Sequence, residues 1–151
     1  MAHIKNMSNR AYISSSLKNK LSRFEMYRYS FIYAPTGYGK SKITKSFFKN
    51  YPGYTVLWID AESSREIFWE NFCNAVRLLN VPLAESFKNI GFPDSDEDIN
   101  AVINLLSIMN SEQSSALLVI DNFDNIFDDN MCRIFAIIIL QSTQNAYLNS
   151  I

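Results

Sequence analysis

The sequence predicts an α/β fold in which a mostly parallel sheet lies between helices. Three short apolar runs, at residues 29–33, 55–59 and 116–120, have the β-branched and aromatic composition that is typical of buried strands. Longer segments with apolar residues at helical spacing separate these runs. Strands that alternate with helices favour a parallel sheet with helices on both faces. A chain of 151 residues is long enough for one domain with a buried core.

The N-terminal residues predict a tail followed by a helix. Residues 1–11 are polar and are expected to form a flexible tail, so the domain is expected to occupy residues 12–151. A run of three serines can cap a helix whose apolar positions, Leu17, Leu21 and Phe24, follow at helical spacing. That helix leads into the first strand, at residues 29–33.

The segment after the second strand predicts one long helix and one short turn. Ser63 and Ser64 before Glu66 are typical of a helix start. Pro82 is expected to end this helix, and residues 83–90 are expected to form a short helical turn. The stripe expected to face the core consists of Ile67, Phe68, Phe72, Ala75, Val76 and Leu79.

The acidic run at residues 94–98 admits two interpretations. Clustered acids can bind calcium, but the glycine and glutamate spacing of an EF-hand loop is missing here. Acids also suit the N-terminus of a helix, and apolar residues at helical spacing follow the run. We therefore predict a helix start. Residues 132–140 are apolar on almost every side and favour a helix over a strand, and residues 146–151 are expected to begin a fourth strand.

The loop between the first strand and the second helix carries the main functional signal. It matches the pattern A-x-x-x-x-G-K-S, in which Ala34 replaces the usual first glycine. Glycines allow backbone N–H groups to approach an anion, and the helix that follows offers unpaired N–H groups and its positive dipole end. An ordinary glycine turn is the alternative. The residues expected to bind the phosphates of ATP or ADP are Ala34, Pro35, Thr36, Gly37, Tyr38, Gly39, Lys40, Ser41 and Lys42.

Two further positions complete the expected site. Ser41 is expected to bind Mg²⁺ through its hydroxyl group, and Asp121 is expected to bind the same ion because it follows four apolar residues at the end of a strand. A capping role for Asp121 is the alternative. These features predict a three-layer P-loop NTPase fold, truncated at about the fourth strand.

The residue after Asp121 bears on catalysis. Many ATPases of this broad type have a second acid there, which orients or deprotonates the attacking water. Here the residue is Asn122, which can hold a water but cannot accept its proton. Asp124 could substitute if the loop turns it inward. We therefore expect firm ATP binding with slow or absent turnover.

Charge and cysteine content narrow the class of protein. Residues 1–50 contain ten of the fourteen Lys and Arg residues and one acid, Glu25. A nucleic-acid surface would explain this bias, but a nucleotide site beside a solvated helix face explains it more simply. Cys73 and Cys132 lack metal-ligand spacing, and no run suggests a secretory signal or a membrane span. We expect a cytoplasmic protein with reduced thiols.

These residues resemble a known family. The loop at residues 34–41 resembles the A-P-A-G-Y-G-K-T loop of large ATP-binding LuxR-type transcriptional regulators, the maltose-activator-like members of the STAND class of P-loop ATPases. Residues 56–59 resemble their second strand, and residues 118–126 resemble their LVLDDYHLI-type stretch. The chain departs from this pattern at Asn122 and ends at Ile151, just where the family carries a sensor Ser-Arg.

The resemblance implies an ATP-bound switch in a signal-responsive bacterial regulator. In that family ATP and an inducer favour a self-associating state, and a C-terminal domain binds DNA. The expected partners are therefore a nucleotide, further C-terminal domains or other copies of the full-length protein, with no direct DNA contact from this part and no membrane contact.

Two other hypotheses remain open. One is a free-standing P-loop ATPase or phosphotransferase. Such enzymes usually carry an arginine-rich lid, whereas only four basic residues follow Lys49 in this sequence. The other is an interaction module whose loop does not bind nucleotide.

Overall fold

The described part of the chain is a mixed α/β structure with a parallel sheet. A computed structural model describes residues 12–27, 29–33, 35, 37–49, 51–111, 115–126, 128–141 and 146–150. The expected tail at residues 1–11 lies outside these ranges. The strands are β1 (Tyr29–Tyr33), β2 (Thr55–Asp60), β3 (Ala116–Asp121) and β4 (Ala146–Ser150). Their order in the sheet is β1-β4-β3-β2, and each neighbouring pair is parallel, as the sequence predicts.

In the described part of the chain, one α-helix precedes β1 and the others lie between consecutive strands. They are α1 (Ser15–Ser22), α2 (Lys40–Phe48), α3 (Arg65–Val76), α4 (Val81–Ile90), α5 (Asp96–Ser111) and α6 (Asp129–Gln141). Short 3₁₀ turns occur at Arg23–Met26 and Phe123–Asn125. Helix α6 confirms the helical interpretation of residues 132–140. Within the described ranges, no helix has both the length and the apolar character that a bilayer crossing requires.

Helix α4 confirms the expected break near Pro82 and corrects the length of the segment that follows. Helix α3 ends at Val76, before Pro82, but the expected short turn is a ten-residue helix that carries Pro82 in its first turn. The first turn suits proline because its N–H groups have no acceptor within the helix. Asn80 caps this start, since its side chain accepts a hydrogen bond from the Leu83 N–H at 2.8 Å.

The acidic run at residues 94–98 begins a helix, as predicted. Ser95 Oγ accepts a hydrogen bond from the Asp98 N–H at 3.1 Å and donates to Asp98 Oδ2 at 2.7 Å, which ties the first turn of α5 together. The described residues contain no group of three or more His, Cys, Asp or Glu side chains that could hold a metal ion.

Both faces of the sheet are covered. Leu118 and Ile120 of β3 belong to a core formed with α3, α4, α5 and α6. Leu117 and Val119, which point to the other face, pack with Phe24 and with Phe48 of α2. Strand β2 alternates in the same way, so the period of two expected for a buried strand is present on both neighbouring strands.

The buried stripe of α3 differs from the predicted one at Ile67, Trp69 and Cys73, and Cys73 is buried although the predicted stripe did not include it. Ile67 is 49% exposed, whereas Trp69 is only 4% exposed and donates its indole N–H to the Phe87 carbonyl at 3.1 Å. Helix α3 packs against α4 as well as against the sheet, and this second contact brings Trp69 rather than Ile67 into the core. Periodicity alone cannot show which side of the stripe a neighbouring helix will cover.

One arginine joins the starts of three helices. Arg65, the first residue of α3, pairs with Asp128 before α6 at 2.7 Å and with Asp94 before α5 at 3.0 Å. Asp128 also accepts a hydrogen bond from the Met131 N–H at 3.0 Å and so caps α6. The hydrogen bond from Arg65 is the main reason why the pKa of Asp128 lies below its ordinary value.

Candidate functional site

The predicted site residues meet at the carboxyl edge of the sheet. Strand β1 ends at Tyr33 and strand β3 ends at Asp121, and in a parallel sheet these ends lie at the same edge. The two strands are not neighbours, because β4 lies between them. Ser41 bridges the gap from the first turn of α2, and its hydroxyl donates to Asp121 Oδ1 at 2.9 Å.

The loop before α2 has the backbone geometry that its glycines allow. Gly37 and Gly39 both have positive φ, at 90° and 70°, and Gly39 is the N-cap of α2. L side chains rarely adopt this region, so the two glycines are needed for the conformation itself. The Ile43 N–H donates to the Gly39 carbonyl at 2.9 Å, which starts the helix directly after the loop. The first-turn N–H groups therefore lie beside the loop, where they favour an anion.

An open cleft of about 450 Å³ lies against this loop. Its volume falls within the range of small-molecule sites in proteins. On the loop side, the cleft is lined by the ammonium-bearing residues Lys40 and Lys42 and by the start of α2. On the side of β3, it is lined by the amide-bearing Asn122 and the carboxylate-bearing Asp124. The described residues that line it are Pro35, Gly37, Gly39, Lys40, Ser41, Lys42, Asn122 and Asp124.

Six of the nine predicted phosphate-binding residues line the described cleft. Ala34 and Thr36 lie outside the described residues. Tyr38 is described, but its side chain is 74% exposed and is not among the residues that line the cleft. The structure therefore brings together Pro35, Gly37 and residues 39–42 of the predicted phosphate-binding set.

Asp121 is the most enclosed polar group of the site. It is 1% exposed, and its Oδ1 accepts hydrogen bonds from Ser41 Oγ and from the Asn122 N–H at 3.1 Å. A hydroxyl oxygen and a carboxylate side by side are ligands that Mg²⁺ accepts. In the described arrangement the Ser41 proton points to the carboxylate. A cation at this point would take a lone pair of the same hydroxyl oxygen while the O–H continues to donate to Asp121, so metal binding and this hydrogen bond are compatible.

The sequence reasoning missed Asp60. This residue ends β2 and lies opposite Asp121 in the parallel register. Its Oδ1 accepts a hydrogen bond from Asn122 Nδ2 at 2.7 Å. An acid directly after the apolar run at residues 55–59 was the available signal. It could not be interpreted without knowing that β2 and β3 are neighbours.

Asn122 and Asp124 extend the site beyond the end of β3. Asn122 has a φ of 56°, in the left-handed region that asparagine tolerates better than most residues. Asp124 lies on the following 3₁₀ turn and is among the residues that line the cleft. Asp124 is thus placed where a carboxylate could accept a proton from a water in the cleft.

Comparison of the sequence with models of known protein families and with curated proteins finds no match.

Proposed function

We propose that the chain binds ATP, or ADP, with Mg²⁺ in this cleft and has a three-layer P-loop NTPase fold. The observation that carries the proposal is the hydrogen bond between Ser41 and Asp121, residues 80 positions apart that both lie at the carboxyl edge of the sheet. A simple glycine turn would have no reason to place its Gly-Lys-Ser segment against a buried strand-end carboxylate. A phosphate loop with a Mg²⁺ site requires this pairing.

The chemistry of the cleft suits a polyphosphate. Lys40 and Lys42 supply positive charge, and the start of α2 supplies N–H groups and the positive end of the helix dipole. Ser41 and Asp121 would hold the Mg²⁺ that bridges the phosphate oxygens and neutralises their charge. On this basis the residues that hold the nucleotide bind and orient it, and the metal supplies electrostatic stabilisation.

We expect hydrolysis to be slow because the residue after Asp121 is an amide. Asn122 lines the cleft but cannot accept a proton from an attacking water. A site that binds ATP firmly and hydrolyses it slowly serves as a switch rather than as a motor. Together with the resemblance at residues 34–41 and 118–126, this favours a nucleotide-binding module of a signal-responsive transcriptional regulator.

A melting experiment with a matched control tests nucleotide binding. ATP with Mg²⁺ at a hundredfold over its Kd should add about 2.7 kcal/mol to the free energy of unfolding. For a domain of this size the melting temperature should then rise by roughly 5–10 °C. Lys40→Ala should abolish the rise, whereas Lys88→Ala, which removes a lysine of α4 away from the cleft, should preserve it. A folded wild-type sample that shows no rise would exclude the proposal.

A free-standing, slow ATPase is the second candidate, and the position of Asp124 favours it. Because Asp124 lines the cleft, its carboxylate could take the place of the missing second acid. Under this candidate the wild type releases phosphate from ATP at a measurable rate, and Asp124→Asn lowers that rate by at least about tenfold without changing ATP affinity. Phosphate release at the level of a no-protein blank would exclude this candidate and leave the switch.

A further inference from the structure

We infer that Asp60 is a positioning residue that orients the Asn122 amide toward the terminal phosphate of the bound nucleotide, so that the site distinguishes ATP from ADP. This inference rests on the proposed nucleotide function. Asp60 does not line the cleft among its described residues, whereas Asn122 does. The direct contact through which Asp60 would act on the ligand is therefore its hydrogen bond to Asn122.

The hydrogen bond at 2.7 Å determines which way the amide points. An ionised carboxylate only accepts hydrogen bonds, so Asn122 must turn its NH₂ group, and not its carbonyl oxygen, toward Asp60. One N–H is used in this bond. The second N–H can donate to a phosphate oxygen in the cleft. The carbonyl oxygen can accept a hydrogen bond from the attacking water.

Hydrogen bonds fix the backbone beside Asp60 at the end of β2 and beside Asn122 at the end of β3. The Asp60 carbonyl accepts from Asn71 Nδ2 at 3.1 Å, and the Ala61 N–H donates to the Asp121 carbonyl at 2.9 Å. Among non-glycine residues in the described ranges, Asn122 is the one with positive φ. A strained backbone conformation persists where its surroundings support it, and here the bond to Asp60 supplies part of that support.

The pair is also connected to the metal position. The Asn122 N–H donates to the same Asp121 oxygen that accepts from Ser41. A continuous chain of hydrogen bonds thus runs from Ser41 through Asp121 and Asn122 to Asp60. Because Ser41 and Asp121 are the residues proposed to hold the metal ion, nucleotide with Mg²⁺ would bind to the same network that orients the amide.

Nucleotide affinities test this positioning role. Calorimetric titration with Mg²⁺ and either ADP or a non-hydrolysable ATP analogue gives the ratio of the two affinities. Asp60→Ala should weaken the ATP analogue by about tenfold or more and ADP by less than about twofold. Asp60→Asn keeps an amide oxygen that can accept from Asn122, so its loss of affinity for the ATP analogue should be smaller than that of Asp60→Ala. Glu62→Gln removes a nearby carboxylate and should change neither affinity. An equal loss for both nucleotides, or no loss for either, would overturn the inference while leaving nucleotide binding intact.

A reciprocal exchange supplies a test that needs no ligand. Asn122→Asp alone places two carboxylates within hydrogen-bond distance, which should lower the melting temperature at neutral pH. The double variant Asp60→Asn/Asn122→Asp restores a carboxylate–amide pair and should recover most of that loss. A double variant that melts no higher than Asn122→Asp would show that the two side chains do not depend on each other. If the wild type binds neither nucleotide, the proposed function itself fails.

Discussion

Replacing Ser41 by alanine should destabilise the protein even without nucleotide. The hydroxyl donates to Asp121 Oδ1 at 2.9 Å, and Asp121 is only 1% exposed, so water cannot readily replace the lost donor. Among the described residues, the donor that remains on this carboxylate is the Asn122 N–H at 3.1 Å. A hydrogen bond to a charged group contributes about 1.5–3 kcal/mol. We expect Ser41→Ala to lower the free energy of unfolding by this amount.

Urea unfolding followed by tryptophan fluorescence measures this loss. For a domain of this size, about 1.5–3 kcal/mol corresponds to a fall of roughly 3–12 °C in the melting temperature. Ser46→Ala is the matched control, because Ser46 lies on the same helix and is also half-buried. Its substitution should change the free energy of unfolding by less than about 0.5 kcal/mol.

A double-mutant cycle with Asp121→Ala separates the bond from other effects. If the two side chains interact, the double variant should lose at least about 1 kcal/mol less than the sum of the single losses. Additivity within about 0.5 kcal/mol would refute the argument that the two groups stabilise each other. That result would also remove the observation on which the proposed metal site depends.

Two further predictions concern pH and the loop glycine. Asp128 has a lowered pKa because Arg65 donates to it, so its contribution to stability is present above its ordinary pKa of 3.8 and is lost as the pH falls through the folded value. Arg65→Gln should therefore make the melting temperature fall less steeply at acidic pH than it does in the wild type or in Arg77→Gln. Equal slopes would argue against the pair of Arg65 and Asp128. At Gly39, φ is 70° and, among the described residues other than its chain neighbours, no atom lies within 4 Å of an added Cβ, so alanine should cost about 1–2 kcal/mol of backbone strain in urea unfolding. Gly39→Asn should cost less, and an equal or larger loss would contradict this.

Much of the local structure could be predicted because its causes are local. The strands at residues 29–33, 55–59 and 116–120 follow from short apolar runs, and the start of α3 follows from its serine cap. The predictions that were wrong concern residues whose burial or helical state depends on another segment of the chain. The burial of Trp69 in place of Ile67 depends on α4, and the place of Pro82 in a helix depends on the cap that Asn80 supplies.

The sequence by itself determined the succession of strands and helices along the chain, because apolar periodicity is a property of short segments. It also determined the residue types of the loop at residues 34–41, because glycine positions are a property of a short segment. Only the tertiary structure decided that β4 lies between β1 and β3, that Ser41 nevertheless reaches Asp121, and that Asp60 lies against Asn122. The order of the strands within the sheet results from contacts between distant segments. A parallel sheet can pair the same strands in several orders without changing their local patterns, so the polar groups that meet at its edge cannot be read from any one of them.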